Sequence, residues 1–326
     1  MSMKILVTGG AGYIGSHTVR KLLKKGFEVL IIDNLSRGHI ESVPENAVFE
    51  KADLLDTEGL AAVFAKHKPD AVIHFAAFAY VGESVENPEL YYRNNVTGSF
   101  NLINAVRDAG IKKFVFSSTC SIYGNPEKIP ISEEQIADPI NPYAKTKLFI
   151  EHILSDYHTA YGIKYIALRY FNAAGNSDDG LIGESHDPEP HIIPLVLFTA
   201  LGKREKVNIY GDDYQTPDGT CIRDYIHVND LADAHVNALE YLNKGCEPEV
   251  INLGTGNGYS VKEIIEEARN VTGCIIRADI AGRRAGDPAV LVADNKKARE
   301  ILGWVPEYDL KKIIETAWNW HKNQKY

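Results

Sequence analysis

The chain of 326 residues has only four cysteines, no long apolar run and no excess of positive charge. The cysteines show no CxxC or other paired spacing, so we expect reduced thiols in a cytoplasmic protein. The longest apolar stretch, 192–201, is interrupted by Pro194 and is far too short to span a bilayer. The net charge of −9 argues against nucleic acid or an anionic membrane as the main partner. The four cysteines are Cys120, Cys221, Cys246 and Cys274.

The eleven histidines form no HxxxH or similar set, so the sequence predicts no metal site. A strand pattern begins within the first few residues, and no signal peptide is expected. Hydrophobic residues make up 44% of the chain and charged residues 24%, which is ordinary for a soluble enzyme. The length is sufficient for a large core and favours two lobes.

Short apolar runs alternate with amphipathic segments in the first half of the chain, a pattern typical of a parallel sheet covered by helices. We therefore predict an α/β fold with a Rossmann-type, doubly wound parallel sheet and a smaller α/β C-terminal domain. Asn141-Pro142 predicts the start of a helix that follows the fifth strand. The predicted strands of the sheet are 4–8, 28–33, 48–51, 71–75, 113–118 and 164–169.

The regular alternation ends after Arg169, where residues 172–194 are rich in Gly, Asp, Pro and His, as a binding loop is. We place a first domain at 1–172 and a second domain at 173–326. A helix at 229–243 and a strand at 250–253 are expected to pack back on the first domain. Segments near 220–255 should therefore return to it.

Three glycines mark the turn from the first strand into the first helix: Gly9, Gly12 and Gly15. Glycine permits the tight turn and a close approach of a pyrophosphate, which the N-terminus of the helix attracts. Asp33 ends the second strand 18 residues after Gly15 and suits a ribose 2′-hydroxyl, so NAD is predicted rather than NADP. Arg37 argues mildly for a 2′-phosphate. Asp53, just after the third strand, could accept a hydrogen bond from an adenine amine or could simply be a solvated residue at a strand end, and the sequence favours the two about equally.

Tyr143 and Lys147 are four residues apart and share one face of the helix that Asn141-Pro142 opens. A phenol with a pKa of about 10 is a poor base at neutral pH, whereas a nearby ammonium and a positive nicotinamide ring favour the phenolate. Ser117-Ser118-Thr119 supplies a hydroxyl at the end of the fifth strand, where parallel sheets place ligand-binding residues. Together these residues predict movement of a proton and a hydride at one carbon.

On motifs spread over the whole chain, the sequence resembles the extended short-chain dehydrogenase/reductase family and, within it, the nucleotide-sugar 4-epimerases. The resemblance implies an isomerase that inverts C4 of UDP-glucose or UDP-galactose, with NAD as cofactor. It also implies a cytoplasmic homodimer that serves galactose metabolism. The motifs are Thr8-Gly9-Gly10-Ala11-Gly12-Tyr13-Ile14-Gly15, His74-Phe75-Ala76-Ala77, Phe116-Ser117-Ser118-Thr119, Asn141-Pro142-Tyr143, Arg169-Tyr170-Phe171-Asn172, Cys221-Ile222-Arg223-Asp224-Tyr225-Ile226-His227 and Arg283-Arg284-Ala285-Gly286-Asp287.

The same resemblance implies roles for single residues. Tyr143 would be the acid and base, Lys147 would bind the nicotinamide ribose, and Thr119 would hydrogen-bond the reacting sugar hydroxyl. The NAD site in domain 1–172 would comprise Gly9, Gly12, Tyr13, Ile14, Gly15, Asp33, Asn34, Asp53, Leu54, Phe75, Ala76, Asn94, Ser117, Tyr143, Lys147 and Tyr170. The UDP-sugar site, mainly in domain 173–326, would comprise Thr119, Tyr143, Asn172, His191, Tyr210, Arg223, Arg284, Asp287 and Leu291.

Four positions depart from the family pattern. Thr119 stands where Ser is common, Ala79 where some members have Lys, and His191 where Asn is frequent. Leu291 aligns with the position beside the sugar C2 substituent, where glucose-specific members have Tyr and members that accept N-acetylated sugars have a small residue. We expect UDP-galactose to be preferred and N-acetylated sugars to react slowly. His74 is expected to be structural.

Alternative readings have their own signatures. The nucleotide-sugar 4,6-dehydratases look alike in having Thr-Asp-Glu at the hydroxyl motif, where the two carboxylates serve to eliminate water. In this chain Cys120 and Ser121 follow Thr119 instead. A catalytically silent NAD-binding scaffold would have lost the Tyr, the Lys or the hydroxyl. A bifunctional UDP-N-acetylglucosamine 4-epimerase, or another nucleotide-sugar-modifying member of the extended family, is the further alternative. Arg223, predicted to hold the pyrophosphate, could instead form a structural ion pair with Asp224 or Asp230.

Overall fold

Seven parallel strands form the central sheet, in a computed structural model that describes residues 2–284 and 287–326. Ala285 and Gly286, which belong to the family motif at 283–287, lie outside the described residues. The strands are β1 Lys4–Thr8, β2 Glu28–Asp33, β3 Val48–Lys51, β4 Ala71–His74, β5 Lys113–Thr119, β6 Lys164–Tyr170, β7 Asn172–Ala174, β8 Val207–Tyr210, β9 Ile222–Arg223, β10 Tyr225–His227, β11 Glu249–Leu253, β12 Tyr259–Ser260, β13 Ala278–Ala281 and β14 Val290–Leu291.

Helices connect the strands and cover both faces of the sheet. Short 3₁₀ turns lie at Ile40–Ser42 and Cys120–Tyr123, and a π-helical turn lies at Tyr92–Thr97. The α-helices are α1 Tyr13–Lys24, α2 Thr57–His67, α3 Val81–Glu86, α4 Pro88–Tyr91, α5 Gly98–Asp108, α6 Pro142–Tyr161, α7 Ile192–Ala200, α8 Val228–Asn243, α9 Val261–Thr272, α10 Lys296–Leu302 and α11 Leu310–Lys322.

The strand order of the central sheet is β11-β6-β5-β4-β1-β2-β3. Strands that are covered on both faces are largely apolar, as in β4, where Ala71, Val72 and Ile73 precede His74 and all four residues are buried. The order of the strands reverses between β1 and β4, and such a reversal opens a crevice at the carboxyl ends of the strands. The predicted Rossmann-type sheet is confirmed, and its first six strands end within one residue of the predicted positions.

The second half of the chain returns to this sheet before it builds a core of its own. β11 pairs with β6, and α8 packs against α1 on one face of the sheet. Three smaller sheets then form, with the orders β10-β7, β12-β9-β14 and β13-β8, beside an apolar core between α7, α9 and α11. The division at residue 172 stays a prediction. Within the described residues, no helix is long and apolar enough to cross a membrane.

The segment predicted as a loop at 172–194 is ordered at both of its ends. Asn172–Ala174 forms β7, which pairs in parallel with β10, and α7 begins at Ile192. The prediction was wrong at these ends because the partner strand of β7 lies some fifty residues further along the chain, where local composition carries no signal.

Helix α6 has strong local signals at both ends. The Asn141 side chain accepts a hydrogen bond from the Ala144 N–H at 2.9 Å, and Pro142 occupies the first turn. Gly162 ends the helix with a φ of +67° in the left-handed region, which glycine adopts without strain. The predicted start of this helix is confirmed.

A buried ion pair fixes α6 to the sheet. The side chains of Glu151 on α6 and Arg169 on β6 are 5% and 9% exposed, and Arg169 Nε lies 3.0 Å from Glu151 Oε1. The Ser118 hydroxyl on β5 donates to the same oxygen at 2.5 Å, and Arg169 Nη1 donates to the Tyr123 hydroxyl at 2.9 Å. Burial alone would lower the pKa of Arg169, but the hydrogen bonds and charge of Glu151 raise it above its usual value.

Glu151→Ala should strongly destabilise the protein, because it leaves the guanidinium of Arg169 buried without its counter-charge. We expect the free energy of unfolding to fall by about 3–5 kcal/mol, measured by urea denaturation. Glu300→Ala, at an exposed ion pair whose side chains are 75% and 63% exposed, is the matched control and should change it by less than about 1 kcal/mol. Equal effects of the two substitutions would contradict this account of α6.

Candidate active site

A cleft of about 1420 Å³ lies at the carboxyl ends of the central strands. The turns that follow β1, β2, β4 and β5 form one wall, and the segment before α7 together with β9 and β14 forms the other. Every residue predicted for the two binding sites lines this cleft, from Gly9 in the first turn to Leu291 in β14. Residues that are far apart in the sequence thus face one enclosed volume.

The turn between β1 and α1 presents bare backbone to the cleft. Gly9 has a φ of +70°, and a Cβ atom there would lie 2.6 Å from the Ala76 nitrogen. A Cβ atom on Gly15 would lie 2.2 Å from the Gly9 carbonyl oxygen. Side chains at these two positions would collide with the backbone, so the turn requires glycine there. The turn leads directly into the first turn of α1, whose N–H groups lack partners within the helix. The cradle fits a pyrophosphate.

The carboxylate of Asp33 is held rigidly at the end of β2. It accepts hydrogen bonds from the Ala11 N–H at 3.1 Å and from the Leu35 N–H at 2.8 Å. Burial raises the pKa of Asp33 above its usual value, while these two hydrogen bonds act in the opposite direction. Arg37 donates to Glu83 Oε1 at 2.7 Å and lies over the Tyr80 ring. Because the guanidinium is already paired, it no longer argues for a 2′-phosphate.

Asn34 and Asp53 form a second polar pair along the same wall. Asn34 Nδ2 donates to Asp53 Oδ2 at 2.9 Å, and the Leu55 N–H donates to the other carboxylate oxygen at 2.8 Å. Asp53 is therefore fixed in direction, and its contact with an adenine amine stays a prediction. Leu54, Phe75, Ala76 and Asn94 complete this part of the cleft.

His74 ends β4 inside the core. Its Nδ1 lies 2.6 Å from Thr8 Oγ1 and its Nε2 lies 2.7 Å from Ser99 Oγ. Burial lowers the pKa of His74 to about 3, so the imidazole is neutral in this position. The predicted structural role of His74 is confirmed by its complete burial and its two hydroxyl partners.

Tyr143 and Lys147 lie on the buried face of α6 and point toward the end of β5. Lys147 Nζ donates to the Ser117 carbonyl at 2.8 Å and lies 5.9 Å from the centre of the Tyr143 ring. Thr119 is within hydrogen-bond reach of Tyr143, and the Ser117 hydroxyl is paired with the Tyr170 hydroxyl. A phenol, an ammonium and a neutral hydroxyl therefore meet at one point of the cleft.

Burial dominates the electrostatics of this group. It raises the pKa of Tyr143 well above its usual value, and the hydrogen bond with Thr119 lowers it by less. Burial also lowers the pKa of Lys147 to about 7, although Glu151 acts in the opposite direction. Desolvation opposes both charged forms, so the Lys147 ammonium by itself does not offset the burial of the phenol. The joint effect of the ammonium and a nicotinamide ring on the Tyr143 phenolate stays a prediction.

Two arginines lie on the opposite wall of the cleft. Arg223 Nη2 donates to Asp287 Oδ1 at 2.7 Å, so its carboxylate partner is Asp287 and neither Asp224 nor Asp230. Arg284 is exposed and lies 4.0 Å above the centre of the Tyr210 ring. Fixed guanidinium groups of this kind suit a diphosphate, which they can bind with two parallel hydrogen bonds.

Asn172 and Leu291 border the space between the two walls. Asn172 Nδ2 donates to the Asp224 carbonyl at 3.0 Å. Leu291 is paired with Arg223 across strands β14 and β9, and it packs against an apolar cluster that includes Cys120 and Phe171. Leu291 is thus half-buried, with its side chain between this cluster and the cleft.

His191 has neighbours that the sequence argument did not identify. Its Nδ1 lies 2.7 Å from Glu184 Oε1 and 3.0 Å from Glu189 Oε1, and His186 Nδ1 lies 3.4 Å from both carboxylates. The two carboxylates raise the pKa of His186 to about 9 and that of His191 to about 10, against the effect of burial. The signal was the spacing Glu-x-His-x-x-Glu-x-His, which a search for HxxxH passes over. Contact of His191 with a uracil or a sugar stays a prediction.

Comparisons with known proteins agree with this geometry. The family model described as GDP-mannose 4,6 dehydratase matches residues 6–317. A UDP-glucose 4-epimerase of Halalkalibacterium halodurans is 53% identical over 99% of this chain and 97% of its own. A crystal structure of a UDP-glucose 4-epimerase superposes with a TM-score of 0.97, at 52% identity and 98% coverage of both chains. The Brucella ovis UDP-glucose 4-epimerase in complex with NAD has a TM-score of 0.95, at 50% identity over 97% of this chain and 98% of that one.

The fold and the cleft define an extended short-chain dehydrogenase/reductase, with a dinucleotide cradle on one side of a Tyr-x-x-x-Lys helix and two arginines on the other. Within that class, the identities of about one half over nearly the full length are decisive. The chain belongs to the UDP-glucose 4-epimerase family.

Proposed function

We propose that this protein interconverts UDP-glucose and UDP-galactose by NAD-dependent inversion at C4 of the hexose. The observation that carries the proposal is the meeting of Tyr143, Lys147 and Thr119 between the glycine cradle and the arginine wall of one cleft. The names of relatives at about half identity along the whole chain support the same activity.

The residues on the first wall fit NAD. The bare backbone from Gly9 to Gly15 would receive the pyrophosphate, and the fixed carboxylate of Asp33 would accept from a ribose 2′-hydroxyl. Lys147 would bind the second ribose. Bound there, NAD would supply a hydride acceptor for C4 and a positive ring that favours the Tyr143 phenolate. Without such a charge, burial keeps the Tyr143 phenol protonated.

Tyr143 is the proposed acid and base. Its phenolate oxygen would take the proton from the sugar O4 as C4 gives up its hydride. The resulting phenol would return the proton to O4 when the 4-keto carbon is reduced again from its opposite face. Thr119 would hold the same hydroxyl in line. A positioned acid and base of this kind contributes about 10²–10⁴-fold to the rate.

The UDP group would remain anchored while the sugar turns over. Arg223 and Arg284 are proposed to bind the diphosphate, with Asn172, His191 and Tyr210 around the remainder of the nucleotide and sugar. Because Arg223 is already held by Asp287, little conformational freedom would be lost when it binds. Remote binding of this kind places C4 against the cofactor and accounts for much of the remaining acceleration.

The alternatives fit the site less well. A dehydratase needs an acid and a base directly after Thr119, but Cys120 is buried, and burial raises the pKa of its thiol to about 12. Ser121 offers no carboxylate either. A silent scaffold would not need the phenol, the ammonium and the hydroxyl in one place. A bifunctional enzyme for N-acetylated sugars is not favoured, because the relatives at about half identity are named UDP-glucose 4-epimerases.

The purified protein should convert UDP-galactose to UDP-glucose without added cofactor and without net NADH, because the hydride returns in every turnover. Tyr143→Phe keeps the ring but removes the proton acceptor, and we expect kcat to fall by at least about a hundredfold. Conversion is followed by chromatography of the two UDP-hexoses, and bound NAD is measured after denaturation.

Thr119→Ser is the matched control, since it keeps a hydroxyl at the same place and should retain most of the activity. Thr119→Ala should lower kcat by a smaller factor than Tyr143→Phe does. Turnover of Tyr143→Phe at the wild-type rate would rule out the proposed proton transfer. Loss of water to a 4-keto-6-deoxy product would assign the chain to the dehydratases instead.

Leu291 is proposed to limit the space beside C2 of the sugar. A bulkier group at C2 would meet the Leu291 side chain, and overpacking of this kind costs about 1–3 kcal/mol. Leu291→Gly should therefore raise turnover of UDP-N-acetylgalactosamine relative to UDP-galactose by at least about tenfold, and Leu291→Tyr should lower it. Leu291→Met keeps the volume and should leave the ratio of the two kcat/KM values unchanged. If Gly and Tyr both leave that ratio unchanged, Leu291 does not limit the pocket.

We also propose that the protein is a homodimer that pairs through α5 and α6. Phe100 on α5 and Phe149 on α6 are 43% and 49% exposed, and Tyr161 near the end of α6 is 45% exposed. The two helices pack against each other, and Phe100 contacts Tyr157 of α6, which in turn contacts Tyr161. We propose that Phe149 on the same helix extends this aromatic surface. A second copy of the chain, related by a two-fold axis, would bury this face with the same face of its own.

Phe149→Glu should weaken the dimer by at least about tenfold, because it places a charge in the centre of the proposed interface. Light scattering coupled to gel filtration measures the mass at several concentrations. Ile275→Glu is the control, since Ile275 is 90% exposed and lies outside α5 and α6. A monomeric wild type, or a dimer that tolerates Phe149→Glu, would contradict this interface.

The remaining inferences concern the setting of the enzyme. We propose a cytoplasmic location and a role in galactose metabolism. All four cysteines are unpaired thiols in the structure, which suits a reducing compartment. Both inferences also follow from the proposed substrates, which are intracellular activated sugars.

A further inference from the structure

Two histidines and two glutamates converge in the wall of the cleft, between β7 and α7. This group, which we call the Glu184 cluster, consists of Glu184, His186, Glu189 and His191. Each residue offers one ligand atom, and the four atoms all lie within 4.8 Å of one another. None of the roles proposed above for NAD or for catalysis uses Glu184, His186 or Glu189.

Three of the four side chains are largely buried, whereas that of His191 is 50% exposed at the cleft. The side chains of Glu184 and Glu189 are only 3% and 4% exposed, and that of His186 is 16% exposed. Glu184 Oε1, Glu189 Oε2 and His186 Nδ1 are buried and make no well-aligned hydrogen bond among the described residues, although histidine nitrogens lie 2.7 to 3.4 Å from these two oxygens. Leaving buried polar atoms unpaired costs about 1–3 kcal/mol each, and more for charged groups. The arrangement therefore points to a ligand that all four side chains share.

The charges of the cluster are also compatible with a bound cation. No lysine or arginine forms an ion pair with Glu184 or Glu189 in the part of the chain that the structure describes. The rings of Tyr13 and Tyr80, both neutral, stand edge-on to His186 at 6.3 and 5.7 Å. Two buried carboxylates are balanced either by two imidazolium protons or by one divalent cation that replaces both protons.

The distances suit a four-coordinate metal. Zinc lies about 2.0–2.2 Å from nitrogen and oxygen ligands, so neighbouring ligand atoms of a tetrahedral site are about 3.3 Å apart. The separations between the histidine nitrogens and the carboxylate oxygens run from 2.7 to 3.4 Å, with both oxygens of Glu189 counted, and all four ligand atoms lie within 4.8 Å of one another, so small side-chain movements would bring them to tetrahedral spacing. Calcium and magnesium prefer ligand sets made entirely of oxygen, whereas two imidazoles with two carboxylates favour a transition metal.

We propose that the Glu184 cluster binds one divalent transition-metal cation of the Zn²⁺ type, with two imidazole nitrogens and two carboxylate oxygens as ligands. Such an ion would join Glu184 to the first residues of α7 and fix the segment between them. Tyr13 of the glycine turn packs on His186 and donates to the Gly175 carbonyl, so the ion would also brace the cofactor side of the cleft. The expectation of no metal site, drawn from histidine spacing alone, is revised by this proposal.

The test measures metal content and ligand field rather than activity. Full-length protein is stripped with a chelator, loaded with Zn²⁺ and gel-filtered, and its metal is measured by plasma mass spectrometry. We expect about one equivalent of Zn²⁺ per chain. Loading with Co²⁺ instead should give the intense visible absorption of a four-coordinate ion with mixed nitrogen and oxygen ligands.

Variants then locate the ion. Glu184→Gln and His186→Asn each remove a ligand, and should weaken Zn²⁺ binding by more than the roughly 10–100-fold that loss of an outer-shell partner costs. His152→Ala is the matched control, because His152 is an exposed histidine on α6 that should affect only surface adsorption. Circular dichroism establishes that the variants are folded.

Either of two results would overturn the proposal. One is wild-type protein that retains no stoichiometric metal after loading, which would leave the cluster as an ion-paired quartet of protonated histidines. The other is metal that both ligand variants retain with unchanged affinity and spectrum. Because the wild-type stoichiometry alone can refute the proposal, poor folding of a variant leaves it testable. Metal content does not depend on epimerase activity, so the two proposals fail separately.

Discussion

The buried ion pair between Glu151 and Arg169 is the constraint on which the active-site geometry depends. Tyr143, Lys147 and Glu151 are spaced four residues apart and therefore share one face of α6, which faces β5 and β6. When Glu151 holds that face to the sheet, it sets the height of the phenol and the ammonium relative to Ser117 and Thr119. Two buried charges are expensive unless paired, so the pair allows few alternative positions of the helix.

The cleft brings together two kinds of binding surface with different physics. On the first wall, backbone N–H groups form the binding surface, because glycines at the β1–α1 turn allow close approach to a helix N-terminus. On the second wall, side chains form the binding surface, and the hydrogen bond to Asp287 orients Arg223 in the absence of a ligand. Between them, burial raises the pKa of Tyr143 and lowers that of Lys147 to about 7, so a positive charge bound beside the phenol would favour its phenolate form.

Much of this arrangement could be read from local sequence. Strands that are buried on both faces can be recognised in the sequence as apolar runs. Asn141-Pro142 marks the start of α6, because the Asn141 side chain caps the helix and Pro142 has a fixed φ angle. The glycine turn and the Tyr-x-x-x-Lys pair are likewise short-range patterns. Short strands such as β7 could not be found, since they form only where a partner strand from the second half of the chain arrives.

The sequence by itself determined the Rossmann-type sheet, the dinucleotide turn and the residues that line the cleft, because each depends on spacing within a few residues or on a motif. Only the tertiary structure decided which charges pair. Arg223 finds Asp287 rather than its neighbour Asp224, and Arg37 is held by Glu83. The same holds for the protonation of Tyr143 and for the convergence of Glu184, His186, Glu189 and His191. Ion pairing and desolvation depend on distances and burial in three dimensions, and the number of residues between two side chains in the sequence does not determine either.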